Sequence, residues 1–267
     1  MSKISQAIYE IESIDELARK DQWVNRIHPL VKLCVTVFFL VVTVSFGRYD
    51  LPGTALMILY LFFLFELTGL SVRKALYRLR IILPLVCIVG VFNPIFDRET
   101  AVVIGGLAVS GGVLSMITLM LKGIYTVLAS YLLIATTTIG DICYAMRLIH
   151  IPKIIVTEIL LIYRYLFVLV REAGRITQAY SLRAPGQKGI NIKAWGPLIG
   201  QLLLRSLDRA DQVYASMNLR GFKGEFPPGR KYGFGLRDAL YLIIFAGGIL
   251  LLRILPMAEM IGRIAGR

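Results

Sequence analysis

Residues 30–46, LVKLCVTVFFLVVTVSF, decide what kind of molecule this chain makes. Only Lys32 interrupts an apolar run that approaches the ~18–20 residues needed to cross a hydrocarbon core about 30 Å thick. Comparable runs recur at 51–65 and 240–252. The chain has 267 residues and is 57% hydrophobic, with a mean hydropathy of +0.70. A soluble domain of this size would be nearer 45–50% apolar, and several separate runs exclude one soluble core. The first ~30 residues carry Glu10, Glu12, Asp15, Glu16 and Asp21 rather than the basic start and early apolar stretch of a cleavable signal. The first spanning helix is therefore expected to direct insertion itself.

Working outward, span one covers 30–46 and span two 51–70, with Pro52 suited to a first helical turn. A short basic loop with Arg73, Lys74, Arg78 and Arg80 precedes span three at 81–96. Residues 102–109 are β-rich and interrupted by Gly105-Gly106, which suits a short surface excursion. From 111 to 138 the sequence is helix-compatible throughout, either as one long tilted span or as two short ones with Lys122 at the boundary. The last span covers 236–255.

Charge discriminates between the two readings. Cytoplasmic loops carry the excess of Lys and Arg, so the 73–80 loop and the N-terminus lie inside and the Asp97–Glu99 loop outside. Residues 141–235 hold 14 Lys and Arg against 6 Asp and Glu, a net of +8. One long span returns this stretch to the cytoplasm; two would leave it outside. Five spans are expected, six being tenable. Arg253, Arg263 and Arg267 then fall on the outer side against the rule. The expected fold class is all-α: a polytopic membrane protein of about five transmembrane helices with a cytoplasmic helical region. Its parts are 1–139 (an N-terminal cytoplasmic segment and four spans), 140–235 (cytoplasmic helices) and 236–267 (the last span and tail).

About 95 residues is too long for an unstructured connection. A short helix is predicted at 141–149, with Asp141 placed to cap or charge its start. Pro152 opens a long helix over 153–181, with Arg164, Arg171, Arg175 and Gln178 on one stripe. Arg183-Ala184-Pro185-Gly186 stops it. A second long helix, 195–219, carries Leu203, Leu207, Ala210, Tyr214 and Met217 at steps of three and four. That stripe suits lying on a neighbour or in the membrane interface. It ends at Arg220-Gly221, a glycine stop. Each long helix thus leaves an arginine, preceded by leucine, at its C-terminus. One reading is complementation of the helix dipole, worth about 0.3–1 kcal/mol. The other is a rigid, permanently charged fork presented to an acidic or carbonyl-lined groove of a partner.

Several function classes lack their residues. Cys34, Cys87 and Cys143 have no ligand spacing and read as structural thiols, and His28 and His150 stand apart, so no metal site and no cofactor are expected in this chain. No GxxxxGK[ST] loop exists, so ATP is not bound in cis. No nucleophile–base arrangement can be argued, which counts against an enzyme reading. Glu66 reads as a polar residue near a helix end, and Lys122 can snorkel, pair or face a partner. The net charge of +13 reports topology and anionic lipid more readily than nucleic acid, and no nucleic-acid partner is expected.

Over nearly its whole length the chain resembles the T components of energy-coupling factor transporters, most closely the CbiQ-type subunits of cobalt or nickel importers. Asn25-Arg26-Ile27-His28-Pro29-Leu30-Val31-Lys32-Leu33 is similar to the family's signature before the first span. Thr136 to Asp141, Ala145-Met146-Arg147 and Ile151-Pro152 are similar to its first coupling helix, and Arg164-Tyr165 and Glu172 to the next. The most specific stretch runs from Asp208-Arg209-Ala210 through Tyr214 to Gly224. The resemblance implies an energy-coupling transmembrane scaffold in the cell (inner) membrane, with its N-terminus cytoplasmic. Such a subunit transmits the movement of two ATP-binding cassette ATPases to a separate substrate-binding membrane subunit. It further implies that two short arginine motifs contact the ATPases. They map onto Leu182-Arg183-Ala184 and Leu219-Arg220-Gly221, where Leu replaces the family's commoner Ala before each arginine. The ending Arg220 to Pro227 points to cobalt, with nickel or a vitamin as alternatives. Competing readings are a self-sufficient secondary transporter or channel, which would need interior charges and an inverted repeat, and a membrane-embedded enzyme.

Overall fold

A computed structural model of the chain describes residues 15–19, 22–96, 100–104, 107–187, 189–226 and 232–254. Glu10, Glu12, Asp21, the 97–99 loop, Gly105-Gly106, Lys188, residues 227–231 with Arg230 and Lys231, and Arg263 and Arg267 lie outside them. The chain divides into two compact units, one of residues 18–137 and 232–267, the other of 1–17 and 138–231.

The first unit is a helical bundle. Helix α1 (Pro29–Ser45) starts where Pro29 supplies a preset φ and the His28 imidazole accepts from the Leu30 N–H at 3.2 Å. It buries Val31, Val35 and Phe39 on one face and leaves Val37, Val41 and Val44 exposed. Span two is broken into α2 (Leu51–Leu56) and α3 (Ile58–Thr68) at Met57. The carboxylate of Asp50 caps α2 through the Gly53 N–H. Helix α4 (Val72–Phe96) starts nine residues earlier than the predicted span. The basic segment expected as a loop forms its first turns, because nothing between Val72 and Ile81 breaks a helix and Pro84 is tolerated inside it. A two-stranded antiparallel hairpin follows, β1 (Thr100–Ile104) with β2 (Leu107–Ser110), pairing Ile104 with Leu107. This is the β-rich excursion read from the sequence.

Helix α5 (Gly111–Thr136) is continuous, as the one-long-span reading requires. It packs against α1 to α4. Its approach to α4 is close: a Cβ on Gly123 would stand 3.2 Å from both Val86 methyls, and one on Gly90 would stand 3.1 Å from Met116. Small residues at such crossings let helix backbones come together in lipid. Helix α9 (Leu236–Ile254) closes the bundle; α6 to α8 belong to the second unit. Asp238 fixes its start, its two carboxylate oxygens accepting from the His28 N–H at 2.7 Å and the Gly235 N–H at 2.8 Å. Phe39 of α1 stacks on Tyr60 of α3 at 4.3 Å, and Phe245 of α9 meets Tyr60 edge-on at 5.7 Å.

Two lysines resolve what the sequence left open. Lys122 Nζ donates to the carbonyls of Phe46 at 2.6 Å and Val44 at 3.2 Å, so it closes the C-terminal end of α1. Lys32, only 4% exposed, donates to the carbonyl of Thr136 at 2.7 Å and closes the end of α5. The two helices thus cap each other, each supplying carbonyl partners that the last turn of a helix otherwise lacks. Arg253, which counted against the topology, is engaged locally: its guanidinium lies 4.2 Å over the Phe46 ring and 4.0 Å from Asp50.

The second unit contains α6 (Ile139–Leu148), α7 (Lys153–Arg183) and α8 (Ile192–Leu219). The helix cap of α6 is Thr138 rather than Asp141. Its hydroxyl accepts from the Asp141 N–H at 3.2 Å and donates to the Asp141 carboxylate at 2.7 Å, and Asp141 supplies the negative charge of the first turn. His150 turns the chain from α6 into α7 with φ +66°, taking the left-handed position usually given to glycine. Runs Leu51–Thr68 and Gly111–Thr136 are long and apolar enough to cross a bilayer, and Pro29–Ser45 is a shorter apolar helix. The protein is an all-α membrane protein with one small hairpin.

Losing either lysine cap strands helix-end carbonyls. Lys32→Met should destabilise the purified protein by about 1–3 kcal/mol, the cost of an unsatisfied buried group. Lys122→Met, which frees acceptors that are part-buried or exposed, should cost less. Thermal unfolding in detergent reads both, and wild-type melting in the two variants would contradict the capping role.

Candidate functional site

The sequence-predicted site residues lie at the ends of α7 and α8, so the way these helices are held determines what the site can do. They run antiparallel. Glu172 on α7 accepts from Arg205 on α8 and from Arg175 one turn along α7, the latter at 3.3 Å. At the loop end, the Tyr180 hydroxyl donates to Gln187 at 2.8 Å and accepts from the Asn191 N–H at 3.4 Å. Asn191 then caps α8 by accepting from the Lys193 N–H.

Between the helices Ala210, Tyr214 and Met217 line an open apolar groove of about 510 Å³ with Leu161, Tyr165 and Leu169. The other two members of the predicted stripe, Leu203 and Leu207, are more than half exposed. No residue of α8 is buried. Ion pairs and loop hydrogen bonds, together with this groove, place α8.

The two arginines are not brought together. Arg183 is the last residue of α7, followed by the cap Ala184 and by Pro185. Arg220 is itself the cap of α8. Gly221 follows at φ +75°, its N–H bonded to Asn218 O at 2.9 Å, and the Phe222 N–H reaches Met217 O at 3.0 Å. That pair of bonds is a Schellman motif, and it needs a residue that tolerates positive φ. The 28 residues of α8 span about 42 Å and separate the two tips. Both guanidiniums are exposed, and neither is bonded to a described residue, the carbonyls of its own helix included. Leu182 is 76% exposed and Leu219 90%.

Sequence reasoning missed how the Arg220 end is anchored. Arg147 donates to the Phe226 carbonyl and the Glu225 carboxylate, each at 2.8 Å, and Lys153 meets the same carboxylate at 3.0 Å. Thr157 donates to the Gly224 carbonyl at 3.3 Å. The hydrogen bond from Lys153, then the charges of Lys153 and Arg147, hold the Glu225 carboxyl below its usual range against an opposing effect of desolvation. The available signal was that Glu225 is the one acid in the basic stretch 221–231. Burial pushes the Cys143 thiol up and suits it to a packing role. Among the described residues no three His, Cys, Asp or Glu side chains gather as metal ligands. His28 serves as a helix cap and His150 as a turn.

Known proteins share this chain's pattern. A family model described as CbiQ, cobalt transport protein, matches residues 20–232. The cobalt transport protein CbiQ of Rhodobacter capsulatus is 28% identical, over 90% of this chain and 99% of its own. The energy-coupling factor transporter transmembrane protein EcfT of Bacillus subtilis is 27% identical over 75% of this chain and 81% of its own. The nickel permease LarQ of Lactiplantibacillus plantarum is 28% identical over 34% of this chain and 33% of its own.

A depressed carboxyl contributes stability above its unfolded value of about 4.3 and loses it as pH falls through the lower folded value. Immobilisation of a spin label on a cysteine replacing Lys223 should therefore be constant from neutral pH down to about 4.3 and fall below it. In Glu225→Gln it should be low at every pH. Wild-type immobilisation in that variant would show that the Glu225 anchor is idle.

Proposed function

The chain belongs to the cobalt transport protein CbiQ family, and on that premise we propose that it is the energy-coupling membrane scaffold of an ATP-driven importer. One observation carries the reading. Two unpaired arginines stand at opposite ends of one antiparallel helix pair, about 42 Å apart by the length of α8, each beside an exposed leucine. Arg183 lies in the last turn of α7, where a cation complements the dipole without a bond; what favours a partner is that neither guanidinium is engaged by its own helix's terminal carbonyls among the described residues. A fork held away from its own helix is available to a partner. Two such tips suit two ATPase subunits, one on Leu182-Arg183-Ala184 and one on Leu219-Arg220-Gly221.

The division of labour follows from the chemistry. ATP is bound and split by the partner chains, so this subunit is not an enzyme and carries no cofactor. A separate membrane subunit captures the substrate. Cobalt is the proposed cargo, in line with the family description, and nickel is the second candidate. Five spans, with the N-terminus and residues 141–235 on the cytoplasmic side of the plasma membrane, satisfy the charge distribution.

Removing one partner of a desolvated, hydrogen-bonded charge pair costs ~2–5 kcal/mol in association. Arg183→Ala or Arg220→Ala should weaken ATPase co-purification and metal uptake, and the double variant should abolish both, with membrane insertion unchanged. Arg→Lys should restore little, because a point charge lacks the fork. Complementation of the dipole predicts a change below about 1 kcal/mol and full rescue by Lys. Full uptake with Lys at both positions contradicts the docking role. A cysteine replacing Lys223 should label only after permeabilisation; labelling in intact cells contradicts the topology.

A further inference from the structure

Along the bundle unit, α3 and α9 leave an open groove of about 580 Å³ between them. Its walls are Leu59, Phe63 and Leu67 on one side and Leu240, Ile244 and Leu251 on the other, all between 41% and 64% exposed. The lining runs along α9 from Arg237 to Leu252, about 22 Å at 1.5 Å per residue. That exceeds half of a hydrocarbon core about 30 Å thick, the reach of one acyl chain.

The groove is apolar along its length and cationic at one end. Trp23 and Arg237 line it there, and both also line an adjoining cleft of about 280 Å³ with Arg26 and Asp238. Asp238 does not engage Arg237 in an ion pair. It is 6% exposed, and its two oxygens are taken by the N–H groups of His28 and Gly235. The Arg237 guanidinium is exposed and bonds no described residue. Tryptophan settles at headgroup depth, and a basic residue there attracts anionic lipid.

We propose that this groove is a binding site for one anionic phospholipid, its chain laid along α3 and α9 and its phosphate on Arg237 beside Arg26 and Trp23. The site rests on the membrane assignment and is independent of the ATPase docking above. A transmembrane helix of a partner would fill the apolar part and leave the cationic end unmatched; a phospholipid supplies chain and anion in one molecule.

Gly248 provides the test. It lines the groove, and a Cβ there would meet nothing within 4 Å, so Gly248→Leu puts a side chain into the open space. The purified full chain would be delipidated, given equal phosphatidylglycerol and phosphatidylcholine of matched chains, and weighed by native mass spectrometry. Wild type should retain phosphatidylglycerol about fivefold over phosphatidylcholine, as expected for one near-surface cation. Arg237→Gln, a surface change that leaves the bundle intact, should remove the headgroup preference and keep the lipid. Gly248→Leu should lose both lipids while helical content and elution volume stay as in wild type. Equal retention of the two headgroups by wild type, or unchanged retention in Gly248→Leu, overturns the site. Loss of a membrane subunit from the native complex in Gly248→Leu, with its lipid unchanged, overturns it in favour of a helix-docking face.

Discussion

Lys32 and Lys122 bind α1 and α5 to each other by their ends. Each lysine rises from one helix and closes the carbonyl terminus of the other. At a helix end cut off from water, as at the Lys32–Thr136 bond, an unmet carbonyl costs about 1–3 kcal/mol. A lysine buried there would cost as much if it found no acceptor. The two penalties cancel only when the helices run antiparallel in this register, so the pair selects the arrangement as well as stabilising it. The other bundle helices assemble around that pair. Helix α4 reaches α5 through Gly90 and Gly123, and α9 is tied to the start of α1 by Asp238. The carbonyl that Lys32 holds belongs to Thr136, two residues before Thr138 opens the second unit.

The second unit follows a different logic. Its long helix α8 has no buried residue, so apolar burial contributes less to its placement than Glu172, Tyr180 and Glu225 do. Carboxylates shared among cations and half open to water hold geometry without the large cost of deep charge burial. Such a helix pair keeps its length and polarity while its apolar face stays open to other subunits. On the proposed reading that is what a coupling element needs: stiffness along its axis, and binding surface everywhere else.

Much of this was legible in the sequence because it is local. Helix limits near 30–46, 153–181 and 195–219 follow from proline, glycine and apolar spacing, and the structure shifts them by a few residues. Charge alone favoured one span over 111–138, and α5 is one helix. What failed was also local in origin. The cluster of Arg73, Lys74, Arg78 and Arg80 looked like a loop because charge was read as absence of helix, although basic residues propagate helices well. Asp141 was expected to cap or charge the start of α6; it charges the first turn, and Thr138 holds the cap. Long-range partners were out of reach. Nothing at Lys122 signals Phe46, 76 residues away, and nothing at Glu225 signals Arg147, 78 residues away. Arg183 and Arg220 were found by their matched ends, and the proline and glycine stops after them were read from the sequence; the Schellman bonds at Gly221 and Phe222 came only from the structure.

The central claim is that one helix pair offers two separate tips to two ATPases. Cysteines at Leu182 and Leu219, both exposed, would carry a short photo-crosslinker beside each retained arginine, with Cys34, Cys87 and Cys143 changed to alanine. Irradiation of the assembled complex and weighing of the products tests the claim most directly. Each single-cysteine chain should capture one ATPase, and the double should capture two on the same chain. Capture of a single ATPase chain by both positions, or of none, would contradict the account.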